Sequence, residues 1–388
     1  MKRLLLVAAA LALLGLSIAA QAITIDTVAV GNAGNAADTA SHSGNPDGQG
    51  SVSYNYNIGK YEVTAGQYTA FLNAVAATDT YGLYNSDMWS DTYGCKIQRS
   101  GTSGTYSYTV ADDWANRPVN YTSFWDACRF ANWLSNGQPT GAQNASTTER
   151  GTYALDGYTG GDGRTIQRNA RWTWAVTSED EWYKAAYYKG GGVYSLYANG
   201  TNTLPASGTD SNYNQAIGHT WDGTTNGALE QNGTRDMMGN VWEWNEAIAY
   251  QDTYYAYRGA RGGSFFNDEI YLQAAYRYGS HPGYGGCGVG FRVSEVVPAY
   301  GISNRAAHHP IISTAAAKFN FRVWGKVTIL VSGNSFTVDD GSGAPVRVVA
   351  PGFSGIQNGD YASAKGGFSG EGSSRVLNAQ ACDVVKQQ

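Results

Sequence analysis

The sequence predicts a large domain of short helices and strands, followed by a small all-β barrel. Three observations carry this. Helical patterns are few, short and opened by capping residues, and they stand between alternating segments. Gly (50), Tyr (28) and Trp (11) are plentiful while only 15% of residues are charged, a composition of turns and aromatic packing rather than long helices. From Phe321 onward apolar and polar residues alternate between Gly-Asn and Asp-Gly turns. At 388 residues the chain can bury one large core and one small one.

Met1-Lys2-Arg3, the apolar run from Leu4 to Ala20 and the small-residue end Ala20-Gln21-Ala22 read as a signal peptide over 1–22. A membrane anchor fits less well, because the run is short and ends in small residues. No cysteine follows the cut, which argues against a lipoprotein. The mature chain is expected to be soluble, secreted or periplasmic, with no membrane attachment after cleavage. Losing Lys2 and Arg3 moves the formal charge from −5 to −7, which excludes an electrostatic nucleic-acid partner.

Ile23 to Val30 alternates and reads as a first strand, and Tyr54 to Val63 as a second. Thr64 with Gln67 forms a capping box, after which Tyr68, Phe71, Leu72 and Val75 follow helical spacing. Short strands are expected around Cys95-Ile97 and Tyr106-Val110. A second helix opens at Thr122 or Ser123 and stops at Asn136-Gly137. Trp172 to Val176 reads as a strand, and Ser178 with Glu181 caps a third helix. Pro298 to Ala317, with its His308-His309 pair, reads as part of a linker over 298–318. Residues 319–388 then form an OB-like β domain with strands at Val323–Val327, Ser335–Gly341, Val346–Val349, Gly359–Ser363 and Arg375–Asn378. Such barrels can bind nucleic acid or sugars, but near-balanced charge favours a structural or adhesive module.

The chemistry concentrates between residues 236 and 293. Asp236 and Glu243 bracket a Gly239-Asn240 turn, so carboxylates and turn carbonyls can converge as hard oxygen ligands for calcium. A helix cap by Asp236 with Glu243 paired elsewhere is the plainer alternative. The run Arg261-Gly262-Gly263-Ser264 removes side chains where a backbone or ligand must approach closely. The ordered motifs DMMGNVWEW (236–244), RGGSFF (261–266), AAYRY (274–278) and GFRV (290–293) resemble the formylglycine-generating enzyme, or sulfatase-modifying factor, superfamily. GKYEVTAGQYTAFLNAV (59–75), RPVNYTSFWDACRFANWLS (117–135) and TSEDEWYKAAYY (177–188) extend the likeness over 23–297.

The resemblance implies an α+β domain related to C-type lectins and a calcium site from the side chains of Asp236 and Glu243 with the carbonyls of Gly239 and Val241. A further calcium turn is implied at Asn212-Tyr213-Asn214, where a bare Asn-rich turn needs no ion. Enzymes of the superfamily oxidise a sulfatase cysteine with two copper-binding thiols. The resemblance puts those thiols at Asn267 and Leu272 of this chain, and neither can ligate copper(I). Asp268 stands where histidine is common. Trp242, Ser264, Arg277 and Arg292 keep motif positions, so the pocket candidates are Ser264, Asn267, Asp268, Trp242 and Arg277.

Calcium is therefore the expected cofactor and copper is not. The implied function is a calcium-stabilised scaffold, a pseudoenzyme binding a protein, peptide or glycan. The alternative is an oxidoreductase of sulfatase-modifying or pigment-maturation type, using non-cysteine residues such as Asp268 and Glu269 beside Arg277 as an acid/base pair. Phe265, Phe266, Tyr276, Tyr278 and Tyr284 supply the aromatic composition of a recognition surface. Trp242 and Trp244 read as core or pocket wall. Of Cys95, Cys128, Cys287 and Cys382, Cys128 reads as a buried thiol, and three complete disulfide pairings stay open.

Overall fold

The computed structural model describes residues 22–296, 299–308, 320–331, 334–350, 352–369 and 376–387. The stretch 1–21 of the expected signal peptide lies outside them, as do His309 and Arg375. No helix among the described residues is long and apolar enough to cross a membrane.

The three expected helices form where the caps placed them. They are α1 (Ala65–Val75), α2 (Phe124–Ser135) and α3 (Glu179–Tyr187), opened by the reciprocal caps Thr64/Gln67, Ser123/Asp126 and Ser178/Glu181. Strands β1 (Thr27–Val30), β2 (Tyr56–Gly59) and β3 (Trp174–Val176) are shorter than the alternation suggested. A hairpin pairs Ile97–Ser100 with Ser107–Val110.

The chain after residue 240 supplies strands that alternation does not reveal. They are β4 (Trp242–Gln251), β5 (Ala256–Arg261), β6 (Tyr278–Ser280), β7 (Val289–Phe291) and β8 (Val293–Glu295). One antiparallel sheet runs β1-β2-β8-β3, and a second runs β6-β5-β4-β7. In the second sheet β7 lies parallel to β4, with Gly290 opposite Glu243 and Phe291 opposite Trp244. The first four residues of β4 are all buried, so the strand shows no period of two. Gly290 permits a close approach here, since a methyl group at that position would stand 2.5 Å from the Val119 carbonyl oxygen. Phe291 lies edge-on to Phe130 and Tyr68 in the core that α1 and α2 share with the second sheet.

The C-terminal strands β9 (Asn320–Val331), β10 (Ser335–Asp339), β11 (Val346–Val349), β12 (Tyr361–Ser369) and β13 (Val376–Lys386) close a barrel in the order β9-β10-β11-β13-β12-β9. β11 and β13 are parallel and the other barrel pairs antiparallel, the arrangement of an OB-type barrel. The linker reading of 298–318 is corrected in part. Ala299–Gly301 pairs with β9, and Ala307 of the short helix Asn304–Ala307 is buried in the barrel core. Asn304 fixes that helix by donating to the Val338 carbonyl.

Candidate functional site

Arg292 is the most enclosed charge at the expected site. Its Nε and Nη2 each donate to the Glu243 carboxylate at 2.6 Å, with both side chains fully buried. Trp182 Nε1 adds a third bond to Glu243 at 2.7 Å. The rest of the guanidinium serves the Gly59 and Arg235 carbonyls, tying β2 and the 235–240 loop to β7 and β8. The Glu243 carboxylate thus holds the fold together, and it does not face Asp236 as an open ligand.

The 236–240 segment is a loop feeding β4, so Asp236 caps no helix, while Glu243 is paired elsewhere as that alternative expected. Asp236, Gly239 and Asn240 all take positive φ. A methyl group on Gly239 would stand 2.3 Å from the Asn212 carbonyl oxygen, so only glycine fits. That same carbonyl accepts the Asn240 amide at 2.8 Å. Asn214 and Gln215 donate to the Asn267 and Phe265 carbonyls, so the Asn212-Tyr213-Asn214 turn is held by protein groups.

Asp236 has one oxygen on Trp221 Nε1 at 2.9 Å and the other buried with no partner. Glu62, which sequence reasoning missed, points into the same volume. It is buried, its Oε1 has no partner, and its Oε2 meets only Asn240 Nδ2 at 3.5 Å. Burial, with Asp236 and Glu243 close by, pushes the Glu62 carboxyl well above its ordinary range. Burial also raises Asp236 to about 7, against the pull of Trp221 and Arg292. Glu230, buried beside Thr234 and the Met237 amide, is raised to about 8 by desolvation. Of the expected calcium ligands, Asp236 thus keeps a buried oxygen without a partner, while the Glu243 carboxylate is taken by Arg292 and Trp182. Glu62 gave no signal in sequence, because Lys60-Tyr61-Glu62-Val63 reads as continued alternation with the acid outward.

At the other end of the site, the Ser264 amide and Oγ both donate to Asn267 Oδ1, at 2.9 and 2.7 Å. The Asn267 amide returns a bond to the Ser264 carbonyl. Asn267 thus staples a turn, while Leu272 is fully buried in the cluster with Trp182, Tyr187 and Met237. Asp268 is exposed and caps the short turn of helix at Glu269–Leu272. Arg277 pairs with Glu179 rather than with Asp268 or Glu269. It holds Glu179 through two bonds of 2.6 Å, and Arg261 takes the same carboxylate at 2.7 Å. Two guanidiniums on one carboxylate lower the Glu179 pKa despite burial and raise that of Arg277.

The aromatic residues divide. Phe265 is fully buried, a correction to its reading as a ligand contact, and Phe266 is half-buried against Tyr93. Trp242 is buried in the core, covered by Tyr271, Tyr276 and Tyr278. Tyr278 and Tyr284 are exposed, and so are Tyr250, Tyr254 and Tyr255 on the β4–β5 hairpin, which sequence reasoning did not single out. Tyr255 joins the two groups by packing on His281. Cys95, Cys128 and Cys287 are free thiols, with Cys128 fully buried. Cys287 is half-buried before Gly288, where a methyl group would stand 3.0 Å from Ser264 Oγ.

No curated protein matches the chain. Solved structures similar to it include Treponema denticola variable protein 1, at 20% identity and TM-score 0.48, over 69% of this chain and 94% of that one. CarF is 21% identical with TM-score 0.45, over 71% and 99%. PvdO from Pseudomonas aeruginosa is 17% identical with TM-score 0.42, over 70% and 92%. The model of the sulfatase-modifying factor enzyme 1-like domain matches residues 17–296. Matched over more than half its length, this chain belongs to the sulfatase-modifying factor family.

Proposed function

We propose that the protein is an exported, calcium-stabilised binding scaffold of this family with no copper-thiol activity, taking a protein, peptide or glycan on its tyrosine-rich face. The observation that carries the reading is the fate of the two positions where the resemblance implies thiols. Asn267 spends its side chain on the Ser264 turn, and Leu272 lies in the core. Neither offers a soft donor to copper(I). The exposed tyrosines on the β4–β5 hairpin and at Tyr278 and Tyr284 suit a recognition surface, with large contact area at low entropic cost.

Calcium at the 236–241 loop is supported by the unpartnered Asp236 oxygen. Export rests on the 1–22 leader, and the C-terminal barrel serves as a structural or adhesive module. The oxidoreductase alternative loses its acid/base pair, because Glu179 holds Arg277. Aerobic incubation with copper and a Cys-x-Pro-x-Arg peptide tests the reading. No aldehyde is expected by mass spectrometry, and catalytic conversion of the cysteine would overturn it.

A further inference from the structure

Strand β9 alternates strictly along its first half. Phe321, Val323 and Val327 are buried in the barrel core, so Arg322, Trp324, Lys326 and Thr328 face outward and are exposed. Core packing accounts for the inner set and leaves a tryptophan on the wet side unexplained, with 43% of Trp324 in solvent. Antiparallel pairing with β12 sets Lys326 opposite Tyr361, which is 61% exposed, Trp324 opposite Ser363, and Arg322 opposite Lys365. β13 extends the same face with Val385, opposite Ser363 and also exposed.

Residues two apart on a strand share a face at a spacing of about 7 Å, so Arg322 and Lys326 flank the Trp324 indole on either side. Arg322 lends Nη1 to Ser363 Oγ at 3.2 Å, which leans its guanidinium toward β12. Asp339 and Asp360 border this face, and both have partners. Asp360 holds Lys386 at 2.9 Å, and Asp339, opposite Lys326 on β10, accepts the Gly341 amide at 2.9 Å. A methyl group at Gly301, on the short strand paired with β9, would stand 3.6 Å from Trp324 Cζ3, so the missing side chain keeps one edge of the indole open. The face that OB-type barrels customarily use, on β10 and β11, turns out Thr337, Arg347 and Val349 and no aromatic ring.

We infer that the β9–β12 face of the barrel binds an acidic polysaccharide built of carboxylate-bearing sugars, stacking a sugar ring on Trp324 and pairing carboxylates with Arg322 and Lys326. The inference deepens the reading of the barrel as an adhesive module and rests on it. The indole offers a flat apolar surface to the C–H face of a pyranose, and Tyr361, diagonal to Trp324 across the ladder, stands within reach of the next sugar. A guanidinium gives a carboxylate charge-assisted bonds stronger than any a neutral sugar can accept. Single-stranded nucleic acid fits this face less well. It calls for a basic groove that tracks many phosphates, whereas here a pair of cations flanks one indole on a chain of formal charge −5.

Calorimetric titration of the full-length protein with oligogalacturonate, neutral dextran oligosaccharide and single-stranded oligothymidylate tests this. Only oligogalacturonate is expected to bind, and more weakly as salt rises. Trp324→Ala is expected to weaken that binding about tenfold or more, and Trp324→Tyr, which restores a ring, to recover most of the loss. Arg322→Gln and Lys326→Gln are each expected to cost about threefold and to flatten the salt dependence. The substituted side chains are exposed, so the far-ultraviolet circular dichroism spectrum is expected to stay unchanged. Oligogalacturonate binding that survives both Trp324→Ala and Arg322→Gln overturns the assignment of this face and leaves the adhesive reading standing. Equal binding of dextran overturns the carboxylate pairing, and a preference for oligothymidylate overturns the polysaccharide in favour of nucleic acid. No binding of any of the three by the wild-type protein overturns the inference and the adhesive role of the barrel together.

Discussion

Arg292→Met is expected to cost about 3–5 kcal/mol of folding stability, because it strands the Glu243 carboxylate in the core with only the Trp182 indole for company. The ion pair itself is not the source of that number. Desolvating both charges offsets much of their attraction, and the loss comes from removing one partner. The double variant Arg292→Met, Glu243→Leu is therefore expected to recover part of the deficit. It does not recover all of it, since the Gly59 and Arg235 carbonyls remain without the guanidinium. Urea denaturation of the three proteins measures this. A cost below about 1 kcal/mol for the single variant would mean that solvent reaches Glu243.

The second large effect is on pH dependence. Glu230 ionises in the unfolded chain near the ordinary glutamate value but holds its proton in the fold until about pH 8, because burial outweighs Arg292 and Thr234. Its folded pKa is raised, so its contribution to stability is complete below the unfolded pKa and is lost as pH rises through the folded one. Glu230→Gln removes that loss. Relative to wild type, the variant is expected to gain stability between pH 5 and 8 at a rate approaching about 1.4 kcal/mol per unit, levelling off above. The gain at pH 9 is on the order of 5 kcal/mol. Thermal unfolding at several pH values checks it, and a difference that does not change with pH would show that Glu230 is ionised in the fold.

What the sequence made legible followed from local rules. Helices α1 and α3 announced themselves by reciprocal caps, α2 by its start at Thr122 or Ser123 and its stop at Asn136-Gly137, and the barrel strands by alternation on a half-buried surface. The barrel strands ran longer than expected at β9, β12 and β13, and Gly366 and Gly367 lie within the paired part of β12. The second sheet was illegible for a related reason. Trp242-Glu243-Trp244-Asn245 is buried on both faces, with a charged residue inside, and only pairing with an arginine 49 residues away makes that tolerable.

The site divided in the same way. Asp236, Gly239 and Asn267 were picked out by the local motif, while the roles that depend on distant partners were not. Glu179 claims Arg277 across 98 positions of sequence, and Asn240 reaches Glu62 across 178. Phe265 shows the opposite error. It was chosen for its aromatic type, and it turned out to be buried, with the tilted ring of Phe266 at 4.0 Å and that of Tyr93 at 5.9 Å.

The proposed scaffold role rests on Asn267 and Leu272 standing where the resemblance implies thiols, and copper(I) affinity tests it most directly. Titrating the reduced, full-length protein against a chromogenic copper(I) chelator should show no competition beyond what scattered single thiols provide, and the same result for Cys287→Ser. Stoichiometric copper(I) binding tight enough to strip the chelator, abolished by Cys287→Ser, would contradict the account by revealing a thiol site beside Ser264.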